Sequence, residues 1–196
     1  MSISIDIYNE KAEQFVEQYD SVHFESVHKS WIDFWPNVGE SVLDIGAGSG
    51  RDARWFIKQG CSVVAVEPCD NLRQIGSQNS SQEIQWFGDY LPNLVGVKAL
   101  ERQFDLILLS AVWMHIPIEN RLASLSELAS LLSEQGKIVI TLRHGSFEDG
   151  RESHTVSINE LRTFAAQLGL SILDEFDDSD ALNRNSIYWQ TVVLGW

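Results

Sequence analysis

The sequence has few cysteines, few prolines, few basic residues and no long hydrophobic run. Its two cysteines, Cys61 and Cys69, are too few for a disulfide framework, so both are expected to be free thiols. The longest nearly apolar run, 106–114, covers about half of the roughly 20 residues that a membrane helix requires. The N-terminus lacks the basic and apolar regions of a secretory signal. These absences predict a cytoplasmic globular protein, and 196 residues fit one α/β domain over 1–196.

Acidic residues outnumber basic ones by 28 to 14, which gives a net charge of −14. Such a field repels phosphate backbones, so nucleic acid is not expected as a partner. A local basic patch that includes Arg143, Arg151 and Arg184 would leave an RNA substrate open as an alternative. The five histidines do not have the spacing of zinc ligands, so no metal site is expected.

From Ser41 onward, short β-type apolar runs alternate with helical stretches, which is typical of a parallel sheet covered by helices on both faces. The predicted strands are 41–45, 62–67, 84–87, 104–110, 137–142, 171–176 and 187–194. The last two are joined by a short polar segment, which predicts a C-terminal antiparallel hairpin. The expected fold is therefore α/β: a Rossmann-like, seven-stranded, mostly parallel sheet.

Helical periodicity predicts two N-terminal helices before the first strand, and residues 1–38 are expected to form a cap over the cleft. Further helices are predicted over 52–59, ending at Gly60, and over 119–133, ending at Gly136, because glycine tolerates a left-handed cap. Ser157 and Glu160 form a capping-box pattern that predicts a helix ending at Gly169.

The first predicted strand is followed by the glycine-rich segment Gly46-Ala47-Gly48-Ser49-Gly50. Missing side chains let the backbone approach a ligand, and the next helix offers its free amides to a carboxylate or phosphate. Dinucleotide-binding loops use a related pattern, but Arg51 stands where their third glycine would be. The carboxylate of Asp44, just before the loop, suits a positively charged amino group better than a pyrophosphate.

Acidic residues also close the second and third predicted strands. Glu67, about 20 residues beyond the loop, can accept both hydroxyls of a ribose. Asp89 with Tyr90 could accept from an adenine amino group and cover a ring face. Because ligands of open α/β sheets bind outside the carboxyl ends of the strands, these residues predict a nucleoside ligand.

The loop pattern Asp-x-Gly-x-Gly-x-Gly, followed by an acidic residue closing the second strand, resembles the class I S-adenosylmethionine-dependent methyltransferases over about 41–145. The resemblance implies S-adenosylmethionine as cofactor and S-adenosylhomocysteine as product. It places Asp44 near the methionine amino group, Gly46 to Gly50 under the methionine, Glu67 at the ribose and Asp89 at the adenine. Further cofactor-binding candidates at the same edge are Pro68, Tyr90, Ser110, Ala111 and Tyr19.

Methyl transfer needs orientation and exclusion of water, and a general base only for some acceptors. His115 and His144 are the candidate bases, since an imidazole titrates near neutral pH. Tyr8, Tyr19 and Trp113 could place an aromatic face near the sulfonium. Tyr8, Trp113 and Arg143 are the candidate substrate-binding residues, with Arg143 able to pair with a substrate carboxylate.

The segment Tyr-Asn-x-x-Ala beginning at Tyr8 resembles N-terminal helices of small-molecule methyltransferases, including relatives of tellurite-resistance proteins. A small molecule or a peptide is therefore the expected acceptor. Two other functions stay open at this point: a nicotinamide-dependent oxidoreductase, which Arg51 disfavours, and a regulatory protein that binds S-adenosylmethionine without catalysis. The oligomeric state is not indicated.

Overall fold

The computed structural model describes residues 3–182, 184 and 186–196, and it contains the seven-stranded sheet that the sequence predicts. The strands are β1 (Ser41–Ile45), β2 (Ser62–Val66), β3 (Gln85–Phe87), β4 (Phe104–Leu109), β5 (Leu132–His144), β6 (Ser171–Ser179) and β7 (Tyr188–Gly195). Their order is β3-β2-β1-β4-β5-β7-β6, and only β7 runs antiparallel to its neighbours β5 and β6. The predicted fold class and C-terminal hairpin are confirmed.

Eight α-helices lie in the described part of the chain. They are α1 (Ile3–Glu10), α2 (Ala12–Asp20), α3 (Phe24–His28), α4 (Arg51–Lys58), α5 (Asp70–Gln78), α6 (Val95–Lys98), α7 (Ile118–Leu131) and α8 (Ile158–Leu168). Ser157 caps α8 by accepting from the Asn159 N–H, and Gly169 ends it in the left-handed conformation, as predicted. None of the described helices is long and apolar enough to cross a membrane.

Alternate residues of the central strands enter two separate hydrophobic clusters, because successive side chains point to opposite faces of a sheet. Leu43 of β1 and Ile107 of β4 pack in one cluster with residues of α7 and α8. Their neighbours Val42 and Leu106 pack in the other with residues of α3 and α4. Both faces are thus covered by helices, which explains the nearly continuous apolar runs of these strands.

The N-terminal segment differs from the prediction of two helices, since three α-helices and the 3₁₀ segment Lys29–Phe34 precede β1. The predicted second helix is broken at Trp31, whose φ of −108° and ψ of 30° are not helical. Its indole N–H donates to His28 Nδ1 at 3.2 Å, and the ring is fully buried. The break coincides with the burial of this ring and with its bond to His28.

The prediction that the helix after β4 ends at Gly136 is also wrong, because α7 ends at Leu131 and β5 already begins at Leu132. Gly136 lies inside β5, next to a register shift between β4 and β5. A Cβ on Gly136 would lie 2.8 Å from the Phe104 carbonyl oxygen. The glycine therefore permits close strand packing and does not cap a helix.

The chain crosses from β1 outward to β2 and β3, then returns to β4 beside β1 and continues in the other direction. The gap between the carboxyl ends of β1 and β4 is therefore the switch point at which ligands of open α/β sheets bind. The segments that follow β1, β2, β4 and β5 meet at this edge.

A buried arginine ties the segments after β4 and β5 together. Arg121 of α7 is fully buried, and its Nε donates to the Ile116 carbonyl at 3.0 Å. Its Nη1 donates to the Thr155 carbonyl at 2.9 Å and to Glu160 Oε2 at 2.8 Å. The Trp113 indole N–H donates to the same Glu160 oxygen at 3.2 Å. Glu160 thus neutralises a cation that has no access to water.

We expect Glu160→Ala to lower the free energy of unfolding by about 3 kcal/mol, because it leaves the Arg121 guanidinium buried without a counterion. Urea unfolding would measure the loss. The matched control is Glu175→Ala, which removes the carboxylate of an exposed pair with Arg162 and should cost less than about 1 kcal/mol. Equal losses of unfolding free energy in the two variants would contradict the role of Glu160 as the counterion of Arg121.

Candidate active site

The loop between β1 and α4 is held in a conformation that only glycine adopts without strain. Gly46, Gly48 and Gly50 have φ values of 70°, 54° and 79°. The Gly46 N–H donates to the Val66 carbonyl at 2.8 Å, which fixes the loop to the end of β2. A Cβ on Gly46 would lie 2.4 Å from Val112 Cγ2. The loop backbone is therefore pressed against the segment that follows β4.

Glu67, directly after β2, orients its carboxylate through two backbone donors. Its Oε2 accepts from the Gly48 N–H at 2.8 Å and its Oε1 accepts from the Cys69 N–H at 2.9 Å. The side chain is buried, which raises the pKa of the carboxyl, while the two N–H groups oppose that rise. Each oxygen keeps capacity for one more hydrogen bond. The carboxylate can thus accept a pair of neighbouring hydroxyls.

A cavity of about 800 Å³ opens at this edge of the sheet, within the range of cofactor and small-molecule sites. Residues of α1 and α2 contribute to its wall together with the segments after β1, β2, β4 and β5. Most of the predicted site residues line it: Tyr8, Tyr19, Gly46, Ala47, Gly48, Ser49, Glu67, Pro68, Asp89, Tyr90, Ser110, Ala111, His115 and Arg143. The structure therefore brings together residues from strand ends that are far apart in sequence.

Two features steady the far walls of this cavity. Asp89 Oδ2 accepts from the Val97 N–H at 2.9 Å, at the start of α6, which leaves Oδ1 for a ligand. Ala111 has a φ of 60°, which a non-glycine residue rarely adopts, and its N–H donates to Thr141 Oγ1 at 2.8 Å. Such strain is often held at functional sites. No local sequence signal marked Ala111 as strained.

Asp44 and Gly50, which the sequence analysis assigned to the cofactor, do not form part of the cavity wall. Asp44 is buried behind the loop, near the Ala53 N–H of α4, and its Oδ2 has no hydrogen-bond partner. Burial and the nearby Asp52 raise the pKa of the Asp44 carboxyl well above its usual range. Gly50 packs instead against Trp86, where a Cβ would lie 3.0 Å from the indole ring. The expected direct contact between Asp44 and an amino group is therefore absent from this wall.

Trp113 and His144 also lie outside the cavity. Trp113 is fully buried in the core beneath the segment that follows β4. His144 is bonded through Nε2 to Gln190 Oε1 at 2.9 Å, and its ring stacks on Tyr188 at 4.2 Å. Because side chains alternate along a strand, Arg143 faces the cavity and His144 does not.

At the mouth of the cavity, Tyr8 and His115 form a hydrogen-bonded pair. Tyr8 Oη lies 3.1 Å from His115 Nε2, and His115 Nδ1 lies 2.9 Å from the Glu152 carbonyl oxygen. A carbonyl only accepts, so Nδ1 carries the proton and Nε2 accepts from the Tyr8 hydroxyl. Arg151 Nη1 donates to the same hydroxyl at 2.7 Å. Sequence reasoning missed Arg151 as a member of this group, because its partner Tyr8 lies 143 residues away.

The electrostatics of this pair keep the imidazole neutral. Burial, with added repulsion from Arg151 and Arg143, lowers the pKa of His115 to about 4, although the bond to the Glu152 carbonyl opposes that shift. Burial also raises the pKa of Tyr8, while Arg151 acts in the opposite direction. At neutral pH the pair therefore consists of a neutral phenol and a neutral imidazole with its lone pair on Nε2.

A second buried network lies under the loop and was not predicted. His28 Nε2 lies 3.0 Å from Asp52 Oδ2, and Arg51 Nε donates to Asp52 Oδ1 at 2.6 Å. These neighbours lower the pKa of the Asp52 carboxyl against the effect of its burial. The N-terminal helices are thus joined to the first turn of α4.

In the described residues, no group of three or more His, Cys, Asp or Glu side chains could hold a metal ion.

The sheet has a Rossmann-like strand order, with a cavity at its switch point. A glycine loop after β1 and an acidic residue after β2 are features typical of domains of this class that bind nucleosides. The profile of a family described as a methyltransferase domain matches residues 15–179. The chain belongs to this family. Membership favours methyl transfer over the alternative of a nicotinamide-dependent oxidoreductase.

Known proteins resemble the chain over different lengths. An uncharacterized methyltransferase of Alkaliphilus oremlandii (strain OhILAs) is 30% identical over 105 residues, which cover 50% of this chain and 44% of that protein. The chain spans about half the length of the first curated relatives that it matches.

Two solved structures share the fold. The TehB-like S-adenosylmethionine-dependent methyltransferase of Corynebacterium glutamicum has a TM-score of 0.71 at 21% identity, covering 95% of this chain and 98% of that one. The 1,6-didemethyltoxoflavin-N1-methyltransferase of Burkholderia thailandensis, with bound 1,6-didemethyltoxoflavin and S-adenosylhomocysteine, has a TM-score of 0.66 at 17% identity. That match covers 99% of this chain and 90% of the other. At these identities, the likeness concerns the fold alone.

Proposed function

We propose that this chain is an S-adenosylmethionine-dependent methyltransferase that methylates a small molecule. Membership of a methyltransferase family supports the reaction class. The single observation that carries the cofactor assignment is the Glu67 carboxylate, which is buried at the cavity wall, held by two N–H donors and still able to accept from a ribose.

The residues of the wall fit this cofactor. Gly46 and Gly48 let the loop backbone approach a ligand, and the Tyr19 ring lies 3.3 Å from the position of a Cβ on Gly48. Asp89 keeps one carboxylate oxygen for an adenine amino group. When bound, S-adenosylmethionine supplies an already activated methyl group. The chain then needs only to align the acceptor and exclude water.

The acceptor side of the cavity can take up a proton. A hydroxyl or amine acceptor loses one proton when it is methylated. That proton passes to the Tyr8 oxygen while Tyr8 gives its own proton to His115 Nε2, and the resulting imidazolium keeps its Nδ1–H bond to the Glu152 carbonyl. Tyr8 regenerates its hydroxyl in this step, so His115 is the base and Tyr8 the relay.

The covering of the cavity favours a small acceptor. Tyr8 of α1 and Tyr19 of α2 form part of its wall, and Arg151 connects α1 to the segment after β5 through the Tyr8 hydroxyl. The segment 145–157 also bonds to α1 through Ser4 Oγ, which accepts from the Glu152 N–H at 2.9 Å. A cavity covered on this side by helices and by the segment 145–157 suits an acceptor small enough to fit inside it completely.

Two measurements on the wild-type protein test the proposal. Unfolding in S-adenosylhomocysteine at 100 times its Kd is expected to require about 2.7 kcal/mol more than without ligand, whereas NAD should have no effect. Methyl-labelled S-adenosylmethionine should then transfer label to a member of a pool of small hydroxyl and amine compounds. Stabilisation without transfer to small molecules or peptides would favour a regulatory protein, and stabilisation by NAD alone would reject the cofactor.

A further inference from the structure

We infer that the acceptor carries an anionic oxygen group, a carboxylate or a phosphate, which binds to Arg143 at the end of β5. This inference rests on the proposed function, because it concerns the acceptor side of the same cavity. It adds the chemical class of the acceptor and the residue that selects it.

Arg143 differs from the other arginines of the cavity in its lack of a counterion. Four arginines line the cavity, and three of them pair with a carboxylate: Arg51 with Asp52, Arg151 with Asp149 and Arg184 with Asp180. Arg143 is only 7% exposed, and it forms no ion pair with any carboxylate of the described residues. Its Nε is buried without a hydrogen-bond partner.

The contacts that Arg143 does make orient it without neutralising it. Its Nη1 donates to the Gly145 carbonyl, and its Nη2 donates to the Ser146 carbonyl at 3.2 Å. The guanidinium lies 4.0 Å from the centre of the Phe147 ring, and the Arg151 guanidinium lies at the same distance from that ring. Two neutral carbonyls and an aromatic ring therefore fix the orientation of the planar guanidinium, and none of them neutralises its charge.

Two cations and one carboxylate act on Arg143, and the cations have the larger effect. Burial and the neighbouring cations Arg184 and Arg151 lower the pKa of Arg143, whereas Asp180, which is paired with Arg184, acts in the opposite direction. Burial of a cation without a counterion lowers the free energy of unfolding. An anionic group on the substrate would compensate for this loss by pairing with Arg143.

The location of Arg143 also links the anion to the proton relay. Phe147, which contacts Arg143, stacks on the His115 ring with centroids 5.3 Å apart. The positive charges of Arg143 and Arg151 help to lower the pKa of His115. An anion bound at Arg143 would offset this effect and make His115 a stronger base once the acceptor is in place. Recognition and activation would then occur together.

The test uses the full chain saturated with S-adenosylhomocysteine and pairs of probes, one anionic and one neutral, that share the same carbon skeleton. Benzoate is compared with benzamide, succinate with succinamide, and phenyl phosphate with phenol, and the apparent Kd of each follows from its effect on thermal unfolding. At least one anion should bind about tenfold more tightly than its neutral partner, the scale of a charge-assisted pair. A preference for the carboxylates or for the phosphate would identify the source of the anionic group.

Variants connect this preference to Arg143. Arg143→Met should abolish the preference, and Arg143→Lys should restore part of it, while both keep the S-adenosylhomocysteine Kd within about twofold, since that ligand is held elsewhere in the cavity. The matched control is Arg102→Met. The Arg102 guanidinium lies 4.8 Å from the centre of the Phe104 ring, at the amino end of β4 and away from the cavity.

The outcomes separate this inference from the proposed function. Equal binding of anions and their neutral partners, or an anion preference that survives in Arg143→Met, would overturn the inference. Failure of the wild-type protein to bind S-adenosylhomocysteine would instead overturn the proposed function. Loss of the preference in Arg102→Met as well would also count against Arg143 as the specific contact.

Discussion

Glu67→Ala is expected to weaken S-adenosylhomocysteine binding on the order of 100-fold. The carboxylate would accept two ribose hydroxyls, and hydrogen bonds to a charged group contribute about 1.5 kcal/mol each. The same substitution leaves the Gly48 and Cys69 N–H groups without their acceptor, so the glycine loop also loses an anchor. Isothermal titration calorimetry of the variant measures the change in Kd.

Asp105→Ala is the matched control for this experiment. Asp105 also accepts a backbone N–H, from Ser41 at 2.9 Å, together with the hydroxyl of Ser133. It lies near the amino end of β4, whereas the cavity lies at the carboxyl ends of the strands. Its loss should lower the free energy of unfolding and leave the S-adenosylhomocysteine Kd within about twofold. Similar affinities in the two variants would reject the ribose assignment of Glu67.

Removal of the relay at the cavity mouth should reduce turnover without affecting the cofactor. We expect Tyr8→Phe and His115→Gln each to lower kcat by about 100-fold to 1000-fold, the usual contribution of a general base. Each should leave the S-adenosylhomocysteine Kd nearly unchanged, since neither substitution removes a hydrogen bond that holds Glu67. Initial rates at saturating acceptor separate this loss in kcat from a change in KM.

A second tyrosine–histidine pair provides the control for the relay. His144 and Tyr188 stack with ring centroids 4.2 Å apart, but they lie outside the cavity. His144→Gln and Tyr188→Phe should therefore retain wild-type kcat. If these variants lost as much activity as Tyr8→Phe, the assignment of the relay would be wrong.

The pH dependence of kcat/KM provides an independent check, because this ratio reports the pKa values of the free enzyme. The pKa of His115 is lowered to about 4, so the imidazole is neutral and able to accept a proton throughout the range above that value. Activity in kcat/KM should persist as the pH falls through 6.5 and decline only near pH 4. A decline centred at 6.5 would mean that His115 titrates as an exposed imidazole.

Much of the sheet and of the cavity wall at the ends of β1 and β2 could be predicted because the signals are local. Strand alternation, the glycines of 46–50 and the acidic residues after β2 and β3 are read from a few adjacent residues, and parallel strands place their carboxyl ends together. Glu67 followed from this rule alone. The end of α7 did not, since Gly136 is required by the close approach of Phe104, a contact that local helix signals do not encode.

The sequence by itself determined the class of fold, the loop that begins at Gly46 and the acid that faces it, because these depend on backbone conformation and on strand ends. Only the tertiary structure decided which aromatic and basic side chains reach the cavity. Trp113 is buried while His115, two residues later, meets Tyr8 across 107 residues of sequence. The physical reason is that the burial, the hydrogen-bond partners and the pKa of a side chain depend on how distant segments pack against it. A local sequence pattern does not determine that packing.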